Sequence, residues 1–382
     1  GLGVSFDDLI IFNSEEGATV NALGQDLAIL QDVTAAELEE TSFAGLEVST
    51  LAIAEEFIEL YDAAFTNPTT EFDNLAALLA EDAVFSFPQE QLLFPETEIS
   101  ELVGDEQIQD YFLNTLTLIV PNETEVFEFL PDDGSYALSD ENNKVAVRLK
   151  ESGIGTETGE EFEQSATWLI EIDEEGLVEQ VEFYSNSYPG HAAVLGLGSP
   201  TEIPENDPFT FQEVEVDRFA DSQTAIEVAT TVWESAAVGE LITNADLIAT
   251  DTIWSFAIGG PSNNLPYVGT AEGLTSDGQP LEPDLSNLGP IFTDILGPLG
   301  AVVQAGDLEI VETFAHGDRV LVHLVEGQEQ LPVAIGTGTE YERPLDLLSW
   351  LSVEDGQVVS NEVIVNTLAT VNALGIVDEF IV

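Results

Sequence analysis

The sequence predicts an α+β protein built from two tandem copies of one domain. Two segments that join a helix to a strand are alike, LLAEDAVFSF at 78–87 and LIATDTIWSF at 247–256. Their spacing is too long for a solenoid repeat and suits tandem domains. Closing segments also correspond, EEGLVEQVEFYSNS at 174–187 and EDGQVVSNEVIVNT at 354–367. In each copy helices precede a run of strands, which is typical of α+β proteins and not of a doubly wound parallel sheet.

Each copy opens with an amphipathic helix. Residues 51–65 and 224–237 carry apolar side chains at helical spacing. Strands with alternating apolar residues, such as Val145, Val147 and Leu149, close each copy in an antiparallel sheet. Shorter helices are predicted at 73–80 and near 105–118 in the first copy, and at 243–249 and near 290–298 in the second.

Proline content and the limits of the repeat divide the chain. Pro200, Pro204 and Pro208 stiffen the segment between the copies, as expected of a linker. We therefore predict an N-terminal extension at 1–48, a first domain at 49–195, a linker at 196–219 and a second domain at 220–382.

Charge restricts the partners that the protein can have. The chain has 74 Asp and Glu residues against 6 Lys and Arg, so its formal net charge is −68. Six scattered cations cannot form a basic patch, which excludes nucleic acids and anionic lipid surfaces as generic partners. No apolar run approaches the ~18 residues that a transmembrane helix needs, so we expect no membrane insertion.

The chain contains neither cysteine nor methionine. Disulfides, thiol catalysis and thiolate metal sites are therefore excluded. With Gly1 read as a processed end, this composition predicts an extracellular or cell-surface protein whose signal peptide has been removed. A halophilic cytoplasm is the alternative. We expect no cofactor, and Ca²⁺ or other cations only as counter-ions, because no D-x-[DN]-x-[DN]-G calcium loop occurs.

Both ends of the chain are apolar, which indicates self-association. Apolar ends need a surface to pack on, either on their own domain or on a neighbouring subunit. A head-to-tail contact that does not close into a ring would give a filament. The candidate assembly residues are Leu2, Val4, Phe6, Ile10, Ile11, Phe12, Phe380, Ile381 and Val382.

Several motifs together resemble a known family. They are LLAEDAVFSF, a strand GDRVLVHL at 317–324, and GTEYERPLDLLSWLSVEDGQVVSNEVIVNTLATVNALG at 338–375. In this order they are similar to the nuclear transport factor 2-like (NTF2-like) superfamily, specifically its SnoaL-like polyketide cyclase branch. Residues 220–377 match better than 49–195. The resemblance implies a cone-shaped fold in each copy, with a curved sheet wrapped around helices.

The resemblance also implies a place for chemistry. In SnoaL-like cyclases and ketosteroid isomerases, a carboxylate in the apolar cone moves a proton beside a carbonyl group. The cyclase base lies on the last strand, where this chain has Asn366 and, in the first copy, Asn186. An amide cannot take that proton, so the family mechanism does not carry over directly. The remaining catalytic candidates are Asp346 as base, with His323 or Asn366 as donor to the developing oxyanion.

Aromatic side chains form the candidate ligand pocket. Placed at the mouth of a cone they would hold an apolar ligand, and placed deeper they would simply fill the core. The pocket candidates are Tyr61, Phe87, Trp168, Tyr184, Asn186, Trp233, Trp254, Phe256, Trp350 and Asn366.

Two functions fit the sequence. The first is a non-catalytic secreted or surface structural protein that assembles into filaments or a matrix, because both family carboxylates are replaced by asparagine. The alternative is a small-molecule isomerase, cyclase, hydratase or binder that takes an apolar ligand in a cone pocket.

We predict that added salt or Ca²⁺ raises the melting temperature. Self-repulsion among carboxylates destabilises the compact state at low ionic strength. Raising NaCl from 0.1 M to 1 M shortens the screening length from about 10 Å to about 3 Å. A calorimetric melt that does not move over this range would contradict the prediction.

Overall fold

The computed structural model describes most of both predicted copies and part of the extension. The chain has 382 residues. The described residues are 10–14, 17–22, 25–30, 50–87, 101–122, 124–131, 143–173, 175–185, 188–195, 220, 222–237, 241–256, 269–272, 303–304, 306–334, 338–341 and 344–365.

Part of the N-terminal extension forms a small antiparallel sheet. Its three strands pair in the order β1-β2-β3. Three of the assembly candidates, Ile10, Ile11 and Phe12, lie in β1, for which the structure describes the backbone. The strands are β1 Ile10–Ser14, β2 Gly17–Ala22 and β3 Gln25–Leu30.

The first α+β unit, called here the first unit, runs from residue 50 to residue 195. Its helices are α1 Thr50–Thr66, α2 Phe72–Ala76, α3 Gly104–Thr115 and α4 Tyr188–Leu195. Its strands are β4 Leu79–Ser86, β5 Glu101–Val103, β6 Ile119–Pro121, β7 Glu125–Pro131, β8 Lys144–Gly155, β9 Glu161–Ile172 and β10 Val178–Ser185.

The second unit runs from residue 222 to residue 365. It begins with helix α5 Ser222–Ala237 and a 3₁₀ helix at Leu241–Leu247. Its main strands are β11 Ile248–Phe256, β12 Gly269–Glu272, β14 Leu308–His316, β15 Arg319–Glu326, β18 Leu345–Glu354 and β19 Gln357–Val365. A small separate sheet contains β13 Val303–Gln304, β16 Val333–Ala334 and β17 Thr339–Glu340.

Both units have the same strand order. The first sheet runs β5-β4-β10-β9-β8, with β6 and β7 both paired to β8, and the second runs β12-β11-β19-β18-β15-β14. Neighbours are antiparallel except for one parallel pair in each sheet, β4 with β10 and β11 with β19. The fold is α+β, as predicted, with each sheet curled into a half-barrel around its helices. The sequence pattern missed the parallel pairs because their strands are distant along the chain.

Alternation along the strands gives each sheet two covered faces. In β8, Val145, Val147 and Leu149 face the helices and join the core of the first unit. Ala146, between them, belongs to a separate cluster with residues of the second unit. The outer faces of the two sheets therefore pack on each other through Leu130, Ala146, Leu169, Tyr184, Phe314, Leu321, Leu348, Trp350 and Ile364.

Two reciprocal ion pairs cross this contact between the units. Lys144 Nζ lies 3.2 Å from Glu312 Oε1, and Arg319 Nε donates to Glu128 Oε1 at 2.9 Å. Lys144 and Arg319 each begin the corresponding strand, β8 or β15. Their partners also correspond. Glu128 is paired with Arg148 on β8, and Glu312 is paired with His323 at the corresponding position of β15. The contact thus has the self-complementary pattern of a two-fold dimer, within one chain.

A third cation completes the interface. Arg148 Nη1 donates to Glu362 Oε2 at 2.8 Å, and Arg148 Nε lies 3.9 Å from Glu128 Oε2. Burial lowers the pKa of Arg319, although Glu128 acts in the opposite direction. Three of the six basic residues of the chain are therefore placed between the two sheets.

We predict that Arg319→Met destabilises the protein by about 3–5 kcal/mol, because it leaves the Glu128 carboxylate beside a buried face with one cation fewer. Arg319 is 1% exposed. Lys150→Met is the control, since its partners Glu125 and Glu163 are more than half exposed, and should cost less than about 1 kcal/mol. If urea unfolding shows that Arg319→Met and Lys150→Met lower the free energy of unfolding equally, the result would contradict this interface.

Candidate functional site

The catalytic candidates Asp346 and His323 lie outside the cone interior. His323 Nε2 and Asp346 Oδ1 are 2.9 Å apart, and the His323 ring is 5.3 Å from the ring of Tyr184 in the first unit. Strand alternation explains this placement, because Leu345 and Leu347 face the core of the second unit and Asp346 therefore faces the other side. The expectation that Asp346 faces a pocket in the second cone is corrected accordingly.

Two of the aromatic candidates, Tyr184 and Trp350, also belong to the contact between the units. Trp350 Nε1 donates to Thr167 Oγ1 of the first unit at 2.8 Å, and the guanidinium of Arg319 lies 5.5 Å from the indole centroid. Tyr184 donates to Glu182 Oε2 at 2.6 Å. Burial, followed by the Glu182 and Asp346 carboxylates, raises the pKa of Tyr184. These side chains stabilise the interface and line no cone.

The remaining candidates fall into three groups. Trp233 and Trp254 lie in the core of the second unit, with ring centroids 6.2 Å apart. Phe256 ends β11, where the structure describes its backbone. Outside the described residues lie the pocket candidates Asn186 and Asn366 and the assembly candidates Leu2, Val4, Phe6, Phe380, Ile381 and Val382.

Tyr61, Phe87 and Trp168 come together in a pocket of the first unit. The cavity has a volume of about 100 Å³. An engineered apolar cavity of about 150 Å³ binds benzene, so this smaller cavity suits a group no larger than a single ring. It is lined by Tyr61, Phe65, Phe87, Tyr111, Thr115, Ile119, Pro121, Asn122, Thr124, Glu151, Ser152, Phe162, Gln164, Trp168, Phe183, Ser185 and Gly190.

Aromatic contacts fix the apolar wall of this pocket. The rings of Tyr61 and Trp168 meet edge to face with centroids 4.7 Å apart, and Phe87 stacks on Phe183 at 4.8 Å. Tyr61 is on the buried face of α1, and Trp168 and Phe183 are opposite each other on β9 and β10. A wall made from a helix and two paired strands is preorganised for an aromatic or aliphatic ligand.

Glu151 provides a carboxylate at the polar side of the pocket. Its Oε1 accepts a hydrogen bond from Trp168 Nε1 at 3.0 Å, and its Oε2 accepts one from Gln164 Nε2 at 2.6 Å. The Gln164 carbonyl in turn accepts from the backbone N–H of Gly190 in α4, at 3.2 Å. These bonds fix the orientation of the carboxylate, which accepts and cannot donate hydrogen bonds when it is ionised.

Two polar contacts join the elements beside the pocket. Asn122 Nδ2 donates to Ser152 Oγ at 3.1 Å, which ties the end of β6 to β8. Asp62 on α1 accepts from the Thr124 hydroxyl at 2.5 Å and from the Thr124 backbone N–H at 3.0 Å. The helix and the strands beside the pocket are thereby linked to each other.

Sequence reasoning missed Glu151 and Gln164. The signal was present, because Val145, Val147 and Leu149 alternate toward the core and Glu151 continues the same face. A carboxylate on an otherwise apolar strand face indicates a pocket or a partner. The pattern could not indicate Gln164, because Gln164 becomes a neighbour of Glu151 only through the pairing of β8 with β9.

The second unit has a carboxylate at the corresponding strand position. Glu326 follows Val320, Val322 and Leu324 on the inner face of β15 and accepts a hydrogen bond from the Gly306 N–H at 2.9 Å. Burial raises the pKa of Glu326, the Gly306 N–H lowers it, and the neighbouring Asp307 raises it; the net shift is upward.

Two features are absent from the described part of the chain. None of its helices combines the length and apolar character needed to cross a membrane. Nor do its residues include a group of three or more His, Asp or Glu side chains arranged to hold a metal ion.

No protein-family model matches the chain, and no curated protein matches it. Among solved structures, a candidate isomerase from Bacillus subtilis matches with 22% identity and a TM-score of 0.31, and the match covers 39% of this chain and 96% of that one. A Mycobacterium tuberculosis protein in complex with estradiol-17β-hemisuccinate matches with 15% identity and a TM-score of 0.28, covering 35% and 92%.

An NTF2-like protein of unknown function from Exiguobacterium is also similar. It matches with 16% identity and a TM-score of 0.28, covering 35% of this chain and 97% of that one. NTF2-like is the superfamily that the sequence motifs resemble.

We predict that Glu326→Gln flattens the dependence of stability on pH. The native state keeps a proton that the unfolded chain releases near the ordinary pKa of 4.5, so the unfolding free energy contributed by Glu326 falls as pH rises above that value. Compared with the parent protein, the variant should lose stability less steeply above pH 4.5 in urea titrations. The exposed Glu354→Gln variant should keep the parental slope, and identical slopes for both variants would contradict the prediction.

Proposed function

We propose that the protein binds a small, largely aromatic or aliphatic molecule in the pocket of the first unit. The observation that carries this proposal is an aromatic cavity with one oriented carboxylate, Glu151, on its polar side. Such a combination of apolar wall and a few fixed polar groups is typical of small-molecule sites. Binding of this kind corresponds to the alternative among the two functions that the sequence suggested.

The ligand chemistry follows from what the pocket offers. Its rings provide apolar faces, and its volume of about 100 Å³ admits a group the size of one ring. Glu151 can only accept hydrogen bonds when ionised. The ligand we propose therefore has an apolar ring and a hydroxyl or N–H group that donates to this carboxylate.

We propose binding in preference to catalysis. Proton transfer beside a carbonyl needs a base and a separate donor to the developing oxyanion. Of the described residues that line the pocket, Glu151 is the single carboxylate, and Trp168 and Gln164 already direct their donors at it. The single N–H of the Trp168 indole is therefore engaged with the would-be base and not with a substrate oxygen, and Gln164 directs one of its two N–H groups at the same carboxylate.

The setting we propose is the cell surface or the extracellular space, with a halophilic cytoplasm as the alternative. It is supported by the net charge of −68 and by the lack of cysteine and methionine. Self-association into filaments stays a prediction, because its candidate residues lie outside the described part of the chain or, for Ile10, Ile11 and Phe12, have only their backbone described.

Phenol tests the proposal, because it is a single ring with one donor. We expect saturable binding that shifts the indole N–H resonance of Trp168 in NMR spectra. Glu151→Gln should weaken phenol binding about tenfold, since a hydrogen bond to a charged acceptor is roughly twice as strong as a neutral one. Toluene, which has no donor, should bind the parent and the variant equally.

A matched control removes the same charge elsewhere. Glu157 is exposed in the first unit, so Glu157→Gln should leave phenol affinity unchanged. The proposal fails if phenol does not shift Trp168, or if Glu151→Gln and Glu157→Gln weaken binding equally.

A further inference from the structure

Three polar atoms inside the second unit have no hydrogen-bond partner within the described part of the chain. They are Thr252 Oγ1, Trp254 Nε1 and Asn361 Nδ2. Their residues are 0%, 2% and 0% exposed, respectively. Buried polar groups are nearly always hydrogen-bonded in native proteins, so a group of three such atoms requires an explanation.

The three side chains share one face of the sheet. Thr252 and Trp254 are two residues apart on β11, so they point to the same side. Trp254 is paired with Asn361 on the neighbouring strand β19, and paired strands lie about 4.8 Å apart. Trp254 packs in the core of the second unit beside Trp233 of α5, so this face is the inner one.

A directed hydrogen-bond chain shows which end of Asn361 is available. Trp233 Nε1 can only donate, and it donates to Ser349 Oγ at 2.9 Å. The Ser349 hydroxyl then donates to Asn361 Oδ1 at 2.6 Å. The carbonyl oxygen of Asn361 is thus occupied, and its NH₂ group is the end that has no partner.

The fold itself does not require these polar groups. The first unit has Ala83 and Phe85 on β4 at the positions of Thr252 and Trp254, and Val181 on β10 at the position of Asn361. Val181 is paired with Phe85 just as Asn361 is paired with Trp254. All three residues of the first unit are apolar and 0% exposed. An apolar set therefore suffices to build this part of the sheet.

We propose that the second unit has a binding site of its own for a small neutral molecule with a carbonyl group. The indole N–H of Trp254, the amide NH₂ of Asn361 and the hydroxyl of Thr252 are the donors available to its oxygen, which has two lone pairs to accept them. All three donors are uncharged, and the chain has a net charge of −68. A carboxylate would be repelled by that charge, which selects a ketone, amide or ester. This site is independent of the pocket of the first unit.

Cyclohexanone is the probe, and methylenecyclohexane, which has the same shape and no acceptor, is its control. Indole N–H resonances report binding, and Trp254→Phe assigns the Trp254 signal among the four tryptophans. We expect cyclohexanone to shift the Trp254 resonance saturably and methylenecyclohexane not to do so. Thr252→Val should weaken cyclohexanone binding about fivefold, the effect of one neutral hydrogen bond. Ile253→Val, on the opposite face of β11, should leave it unchanged.

Stability separates a binding site from a structural role. A buried hydroxyl without a partner destabilises the ligand-free protein, so the isosteric Thr252→Val should raise the melting temperature by about 2 °C. The same variant is therefore expected to melt higher and bind more weakly. A structural water at these atoms would instead make Thr252→Val melt lower and leave cyclohexanone without effect, and either result would overturn the proposal.

Discussion

Arg148 and Arg319 lie between two sheets, in a chain that has 74 acidic residues and only 6 basic ones. Burying a guanidinium is costly unless a carboxylate accompanies it with good geometry. Glu128 and Glu362 meet that requirement, and Lys144 with Glu312 repeats the arrangement at the corresponding position. Because so few cations are present, their placement in one contact largely determines how the units are held together.

This contact explains the roles of the two faces of each sheet. The outer face is used by the partner unit, so residues that point outward, such as His323, Asp346 and Trp350, stabilise the interface. Only residues that point inward remain for ligands. In the first unit these form an aromatic pocket with Glu151, whereas in the second they include three donors around Trp254. Equivalent folds in one chain thus differ in the polar groups on their inner faces, because the three donors of the second unit correspond to apolar residues in the first.

The sequence predicted the fold better than the sites. Helical spacing located α1 and α5, and the similarity of 78–87 to 247–256 indicated two sheets of the same design, whose strand orders indeed agree. Period-two alternation separates Asp346 from Leu345 and Leu347, but it cannot say that the outer face is covered by another sheet. The neighbours of Glu151 depend on strand pairing, which local sequence patterns do not specify.

The two units are held together by their sheets. A protease site inserted between residues 200 and 208, in the predicted linker, allows the chain to be cut after folding. Light scattering of the cut protein at moderate salt should then give the mass of the intact chain, because the buried ion pairs and the apolar cluster keep the units associated. Two separate particles of roughly half that mass would contradict the account.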